Sequence, residues 1–272
     1  AQNSRPSVEP TPALEEQRLD EINKLEKSIL KITCTAYYEN FYYRRPAMFS
    51  DSVAQNELLY RTNITSNSVA ATGFILNQDG KLALLMTCYH IFDFPDTIRT
   101  YYRDRNKNLT DYLRSMSIRN GMAISVVHKN GRITPANLVA YDEGVDAAFI
   151  VTNPGNIVLT ELPFQGRFGD ADKLKLGQEV HLIGFPKGFF MVTRGLVSPG
   201  NTRSKFIVDA AFNQGFSGGI VVVLNPESGK FEYVGMANSV AYTSERVLVP
   251  IRDELGDDPF DEVPYRGEME VQ

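Results

Sequence analysis

Cysteine is scarce in this chain: Cys34 and Cys88 are the only two in 272 residues. At most one internal disulfide can form, which excludes a cysteine-stapled scaffold and a four-cysteine zinc site. Long apolar runs are missing too. The longest nearly apolar stretch, about Leu82 to Phe92, is interrupted by Thr, Tyr and His and falls far short of the ~18 residues of a membrane-spanning helix. There is no basic excess. The formal net charge is −5, against the usual footprint of a nucleic-acid binder. Histidine is limited to His90, His128 and His181, so few side chains qualify as a base, and no ligand cluster has the spacing that would imply a metal or other cofactor. What remains is an ordinary globular balance, 43% hydrophobic and 22% charged, in a chain long enough for one large domain or two modest ones.

Along the chain, residues 1–12 hold three prolines and read as a flexible arm. From Pro12 to Lys31, Ile22, Leu25, Ile29 and Ile32 fall at helical spacing, predicting an amphipathic helix. It fits packing on the domain's own surface, with a short coiled coil or a stalk as the alternative. No signal peptide is visible, and an extracytoplasmic setting, periplasmic or secreted, is slightly favoured.

Beyond Ile32 the pattern changes to short β-rich runs separated by Gly, Asn, Asp and Pro. The first group is 29–36, 69–76, 82–88, 122–128, 133–140 and 147–151. The second is 179–184, 190–197, 205–211, 219–224, 231–239 and 246–250, after a loop-rich stretch at 152–178. Asn77-Gln78-Asp79-Gly80 and Asn130-Gly131 are hairpin signals. No long helices alternate with the strands, so the reading is all-β, two six-stranded antiparallel barrels. Two stretches break the rhythm and read as loop insertions. Residues 37–66 are rich in aromatics, and 96–120 carry six basic residues, Arg99, Arg103, Arg105, Lys107, Arg114 and Arg119, with a candidate helix near Leu109–Met116. Both fit surface excursions that pack back on the barrel, or regulatory loops that meet a partner. The stretch 253–272, with eight acidic residues against Arg266, reads as a solvated tail.

Gly215-Phe216-Ser217-Gly218-Gly219 is the most suggestive segment. A serine between glycines leaves its Oγ accessible and lets backbone N–H groups point at a developing oxyanion. The G-x-S-x-G elbow of α/β-hydrolases is excluded, because no histidine follows Ser217. A base must therefore come from upstream. His181 lies inside an apolar run and reads as a strand residue with a satisfied hydrogen bond. His128 precedes Lys129-Asn130-Gly131 and reads as a solvent-facing turn position. His90 ends the run Leu84–Tyr89, where a buried strand delivers it to a loop. Asp146 precedes Ala147-Ala148-Phe149-Ile150-Val151, where an acid is costly unless hydrogen-bonded or functional.

Thr87-Cys88-Tyr89-His90, Val145-Asp146-Ala147-Ala148 and Asp209-Ala210-Ala211-Phe212-Asn213-Gln214 running into the serine segment together resemble the trypsin-like serine peptidases. The bacterial HtrA/Deg-type branch, with its D-A-A-I-N-P-G-N-S-G-G motif, is the nearest pattern. Gly73-Phe74-Ile75-Leu76, Leu182-Ile183-Gly184-Phe185-Pro186-Lys187-Gly188, Arg194-Gly195-Leu196-Val197-Ser198 and Leu248-Val249-Pro250-Ile251 fall in the matching order. The resemblance implies a double β-barrel with its site in the cleft between barrels. It implies His90 as general base and then acid, Asp146 as its orienting carboxylate and Ser217 as the nucleophile of an acyl-enzyme. Gly215 and Ser217 would supply the oxyanion-binding N–H groups. Ala211, six before the nucleophile, would floor the primary specificity pocket and favour small or aliphatic uncharged residues. Gly235, Met236, Ala237 and Asn238 would line its wall.

The division this implies is 1–28 arm and helix, 29–252 peptidase domain with barrels at about 29–151 and 179–251, and 253–272 tail. Gln214 and Phe216 replace the motif's Pro and Asn, and Ile220 a common Pro, so Phe216 bears on how the oxyanion turn takes its active shape. The stretch from His90 to Asp146 is longer than that branch suggests, and no PDZ module is expected. A protein or peptide is the implied substrate, and 1–31, 37–66 and 96–120 are candidate contacts for a regulatory partner. A catalytically silent binding module and a partner-activated protease are the alternatives. Cys88 reads as a buried core cysteine rather than a rival nucleophile, and a Cys34–Cys88 bridge stays open.

Overall fold

A computed structural model of the chain describes residues 12–44, 58–104, 106, 108–153, 161–199 and 205–238. It opens on helix α1, Pro12–Glu26, whose first residue is the proline that suits a first helical turn. The helix stops earlier than its apolar spacing predicts. Ser28 turns back on the Leu25 carbonyl through both its amide (3.0 Å) and its hydroxyl (2.7 Å). Ile29 and Ile32 consequently belong to strand β1, Ile29–Tyr43, where alternate residues Leu30, Ile32, Cys34, Ala36 and Tyr38 are buried, the period of a half-buried strand. No helix among the described residues is long and apolar enough to cross a membrane.

Strands β2 (Leu59–Gln78), β3 (Ala83–Thr87), β4 (Thr97–Arg103), β5 (Leu109–Val127), β6 (Ile133–Asp142) and β7 (Ala147–Thr152) follow. They pair antiparallel in the order β1-β2-β3-β7-β6-β5, and β5 returns to pair with β1, closing a six-stranded barrel with β4 added outside β5. All six strands expected of the first barrel are present. The Asn77–Gly80 hairpin forms as read, with Asp79 Oδ1 accepting the amides of Lys81 (3.2 Å) and Leu82 (2.9 Å).

The second unit holds β8 (Arg167–Phe168), β9 (Glu179–Gly184), β10 (Met191–Ser198), β11 (Ile207–Asp209), β12 (Ile220–Leu224) and β13 (Phe231–Met236). They form a six-stranded sheet in the order β11-β10-β9-β12-β13-β8, antiparallel except for the short β8–β13 pair. The fold is therefore mostly β, as expected: a closed barrel beside a second six-stranded sheet. β8 lies in the stretch read as loop, and the strand expected at 246–250 lies outside the described residues, as do the arm at 1–11 and the tail at 253–272.

The two expected loop insertions are corrected by the structure. Where described, they are strand extensions. β1 and β2 run on together from Tyr37 opposite Ser66 to Tyr43 opposite Leu59, while β5 follows the other edge of β1 as far as Ser115 opposite Tyr42. With β4 they make a four-stranded blade, β2-β1-β5-β4, standing off the barrel. The candidate helix at Leu109–Met116 is part of β5. Its Leu113 is fully buried with Tyr43 in a small core of the blade's own, flanked by Phe41, Leu59, Tyr101 and Met116. Cross-strand packing outweighs helical spacing here.

Each unit has its own core, one inside the barrel and one under the second sheet. A third cluster joins them: Leu25 and Ile29 meet Phe74 of β2 and Ile183, Ile220, Val222 and Phe231 of the second sheet. This apolar seam packs β2, with Met86 of β3 at its edge, against β9, β12 and β13 of the second sheet, next to the segment that carries Ser217.

Candidate active site

Buried strand β3 delivers His90 into a short 3-10 turn, His90–Phe92, anchored by buried Ile91 and Phe92. Asp146 stands just before β7 in left-handed backbone, φ +53, a conformation Asp tolerates better than most residues. A tight turn holds it there: Asp142 Oδ1 accepts the Gly144 and Val145 amides, and the Asp146 amide donates to the Glu143 carbonyl. Its carboxylate takes two hydrogen bonds from one residue, the His90 amide on Oδ1 at 2.9 Å and His90 Nδ1 on Oδ2 at 2.8 Å. Burial alone would raise the Asp146 carboxyl, but the bonds from the His90 ring and amide outweigh it and hold the group below the usual carboxylate range. Asp146 is thus an acceptor only, so Nδ1 carries the ring proton. Nε2 is left with its lone pair 2.9 Å from Ser217 Oγ, and the serine hydroxyl donates to it. The barrel supplies two of these groups and the second unit the third.

Ser217 sits on a turn whose shape depends on glycine. Gly215 and Gly218 have φ of +100 and +83, and a Cβ at Gly218 would run into the Thr72 carbonyl oxygen, one at Gly215 into that of Phe185. Almost every polar backbone group of the turn is tied down. The Gln214 carbonyl accepts from Lys187 N (2.7 Å), Gly215 O from Thr72 Oγ1 (2.6 Å) and Ser217 O from Thr72 N (2.8 Å). Gly218 N donates to Ala237 O and Ala237 N to Gly219 O, at 2.8 and 2.9 Å. Two amides, those of Gly215 and Ser217, donate to no group among the described residues. Because the peptide bond is trans, pinning the Gln214 carbonyl toward Lys187 turns the Gly215 N–H the opposite way.

Residues 71–236 match the trypsin-like peptidase domain. The chain belongs to that family. Similar proteins include a probable periplasmic serine endoprotease, DegP-like, of Marinomonas sp. (strain MWYL1), 32% identical over 65% of this chain and 30% of its own length. Another is a DegP-like probable periplasmic serine endoprotease of Pseudomonas putida (strain W619), 38% identical over 57% of this chain and 27% of its own. A do/HhoA-like probable periplasmic serine protease of Haemophilus influenzae is 38% identical over 38% of this chain and 23% of its own. The chain spans less than a third of each of these relatives.

Within this peptidase domain Phe216 points away from the serine. It is buried in the second core, its ring 5.6 Å from that of Phe212, so it anchors the turn from below. Ala211 lies exposed just past β11. Gly235 faces the Phe206 ring, Met236 reaches the barrel's core, Ala237 is buried beneath the serine turn, and Asn238 follows it half-buried.

Cys34 and Cys88 are both free and buried, so no bridge joins them. Cys88 donates to the Ala237 carbonyl at 3.3 Å. Burial, and after it the charge of Asp146, pushes its thiol far up. Its sulfur lies with His90 and Asp146 in the one trio of metal-ligand type among the described residues, but a protonated thiol is a poor ligand and the other two groups are engaged with each other.

The remaining histidines lie elsewhere. His128 is not a solvent-facing turn residue as its neighbours suggest. It is 3% exposed, with Nε2 2.9 Å from Thr134 Oγ1 and Nδ1 3.6 Å from buried Glu161, a residue from a distant segment. His181 is buried as expected, but among the described residues neither ring nitrogen has a hydrogen-bond partner; Nε2 comes no closer than 3.6 Å to Glu179 Oε1, and the ring meets Phe231 edge-on at 5.2 Å. Two features beside the triad escaped the sequence reading: Thr72, and the stacked pair Tyr89 and Tyr141, 4.5 Å between centroids. Glu143 beside it raises the Tyr89 phenol above its usual range. Adjacent aromatic and acidic residues around Asp146 were the only sign of the pair, and Thr72 gave none.

Proposed function

We propose that this chain is a serine endopeptidase working through His90, Asp146 and Ser217. Ser217 Oγ attacks the scissile carbonyl while its proton passes to His90 Nε2. The imidazolium so formed is stabilised by the Asp146 carboxylate on the opposite ring nitrogen. The carbonyl oxygen becomes an oxyanion within reach of the Gly215 and Ser217 amides, each such donor worth about 10²–10³ in rate. When the C–N bond breaks, His90 gives its proton to the leaving amine and the acyl group stays on Ser217. A water then attacks, its proton again taken by His90, and the acid product leaves with Ser217 restored.

The observation that carries this reading is the unbroken line of hydrogen bonds from Asp146 through His90 to Ser217, at 2.8 and 2.9 Å. Two further features support it: the pair of amides left undonated on the serine turn, and the depressed carboxyl of Asp146. Ala211, six before Ser217, would floor the primary pocket by the family pattern; its side chain carries no charge to pair with Lys or Arg, and the preference we propose is for small or aliphatic uncharged residues.

Labelling by a fluorophosphonate, read by intact mass on the wild type and on Ser217→Ala, tests the mechanism. One adduct on the wild type and none on the variant is the expected result; a wild type that stays unlabelled overturns the reading. A peptide library carrying Ala, Val, Leu, Lys and Asp before the scissile bond tests the specificity, and preferred cleavage after Lys would remove Ala211 from its assigned place.

A further inference from the structure

We propose that Thr72 of β2 is a positioning residue that holds the oxyanion-binding turn in its working shape, an inference that rests on the peptidase reading above. Thr72 is fully buried, and all four of its hydrogen-bonding functions are used. Its amide donates to Ser217 O at 2.8 Å and its hydroxyl to Gly215 O at 2.6 Å. Its hydroxyl oxygen accepts the Phe185 amide at 2.8 Å, and its carbonyl accepts from Thr87 Oγ1 at 2.7 Å. Three of these four bonds cross to the second unit, two of them to the serine turn itself.

The place is available because of strand register. β3 pairs with β2 only from Phe74 onward, so the edge of β2 at Thr72 is open for the turn to dock. The close fit shows on the glycines around it: a Cβ at Gly218 would strike the Thr72 carbonyl, and one at Gly184 would lie 2.7 Å from Thr72 Oγ1. Gly215 has no side chain to restrict it, and glycine samples positive and negative φ with equal ease. Nothing intrinsic therefore keeps its N–H aimed at the oxyanion. Its own carbonyl is held by the Thr72 hydroxyl and the preceding one by the Lys187 amide. The Lys187 bond fixes the peptide that carries the Gly215 N–H, and the Thr72 hydroxyl fixes the peptide on the other side of Gly215, so that with both in place the residue between them cannot rotate.

The test compares Thr72→Val, which keeps the branched shape and loses the hydroxyl, with Thr72→Ser, which keeps the hydroxyl. Loss of one aligned oxyanion donor predicts a fall in kcat of about 10²–10³-fold for Thr72→Val with KM little changed, and near wild-type kcat for Thr72→Ser. Affinity for a peptide boronate, whose adduct places an oxygen where the oxyanion forms, should fall in parallel, while affinity for the cleaved product peptide stays constant. Should Thr72→Val unfold, the same measurements on Thr72→Ala decide. An unchanged kcat in the hydroxyl-free variant, or a Thr72→Ser variant as impaired as Thr72→Val, overturns the proposal while leaving the peptidase reading intact. A wild type that is inert to boronate and fluorophosphonate alike removes both.

Discussion

Replacing Asp146 by Asn changes the position of a single proton and little else. Asn accepts left-handed backbone as readily as Asp, so the φ of +53 at this position gives the loop no reason to move. In the native site Oδ1 takes the His90 amide and Oδ2 the ring N–H, at 2.9 and 2.8 Å. Asn has only one acceptor to offer these two places, and the backbone amide, which can only donate, claims it. The side-chain NH₂ is then turned toward Nδ1. Nδ1 must accept, so the ring proton moves to Nε2 and faces Ser217 Oγ across 2.9 Å. An imidazole in that tautomer cannot take the serine proton. The expected loss is about 10⁴ in kcat, or about 5.5 kcal/mol of barrier at the usual ~1.36 kcal/mol per decade. KM should hardly move, since no group that meets substrate is altered. Steady-state turnover of a chromogenic peptide substrate measures this, with a thermal melt to show that the fold is kept. A folded variant retaining more than a tenth of the wild-type kcat would refute the reasoning, because the tautomer would then not be under Asp146's control.

Three further expectations follow from the surroundings of the site. Phe216→Ala removes a buried ring from the second core and should cost about 3–5 kcal/mol, seen as a lower urea midpoint; a variant as stable as wild type would mean Phe216 does not anchor the turn. His128 and His181 are both held below the ordinary imidazole value, chiefly by burial, with Glu161 opposing this at His128. Below about pH 6.5 the unfolded chain therefore binds protons that the folded chain refuses. Stability present above that pH is lost as the pH falls, and the urea midpoint should be lower at pH 5.5 than at 7.5; equal midpoints would contradict the burial of these rings. Burial pushes the Cys34 thiol up to about 11 and Cys88 higher still, so neither should react with a disulfide reagent at pH 8 until the chain is unfolded. Rapid labelling of the native protein would show that one of them is accessible.

The strands of the barrel were legible because their alternation is local: each inward residue of β1, β3 or β7 announces itself against its own neighbours. His90 and Asp146 were legible for a related reason, as polar residues at the ends of apolar runs. The blade was not. Leu109, Leu113 and Met116 fit a helical face as well as a strand, and what decides between them is Tyr43, contributed by a strand distant in sequence. His128 misled in the same way, since Lys129, Asn130 and Gly131 signal an exposed turn while Glu161, from another part of the chain, covers the ring. Thr72 was illegible altogether. A threonine within an apolar strand is unremarked until Gly215, Ser217 and Phe185 are brought to it by the docking of the second unit.

Closing the barrel brings Ile32 on β1 beside Val126 on β5, and seating the second unit joins Thr72 to Ser217 across a still longer span of chain. Contacts this remote form late, because the entropy of closing the intervening loops is lost before the contact returns anything. All-β chains dominated by such pairings fold over milliseconds to seconds. His90 and Asp146 belong to the first unit and Ser217 to the second, so the line of hydrogen bonds through them needs both units folded and docked. On refolding, fluorophosphonate labelling of Ser217 should therefore return after the strand structure of the first unit, and simultaneous recovery would show that the two units fold as one.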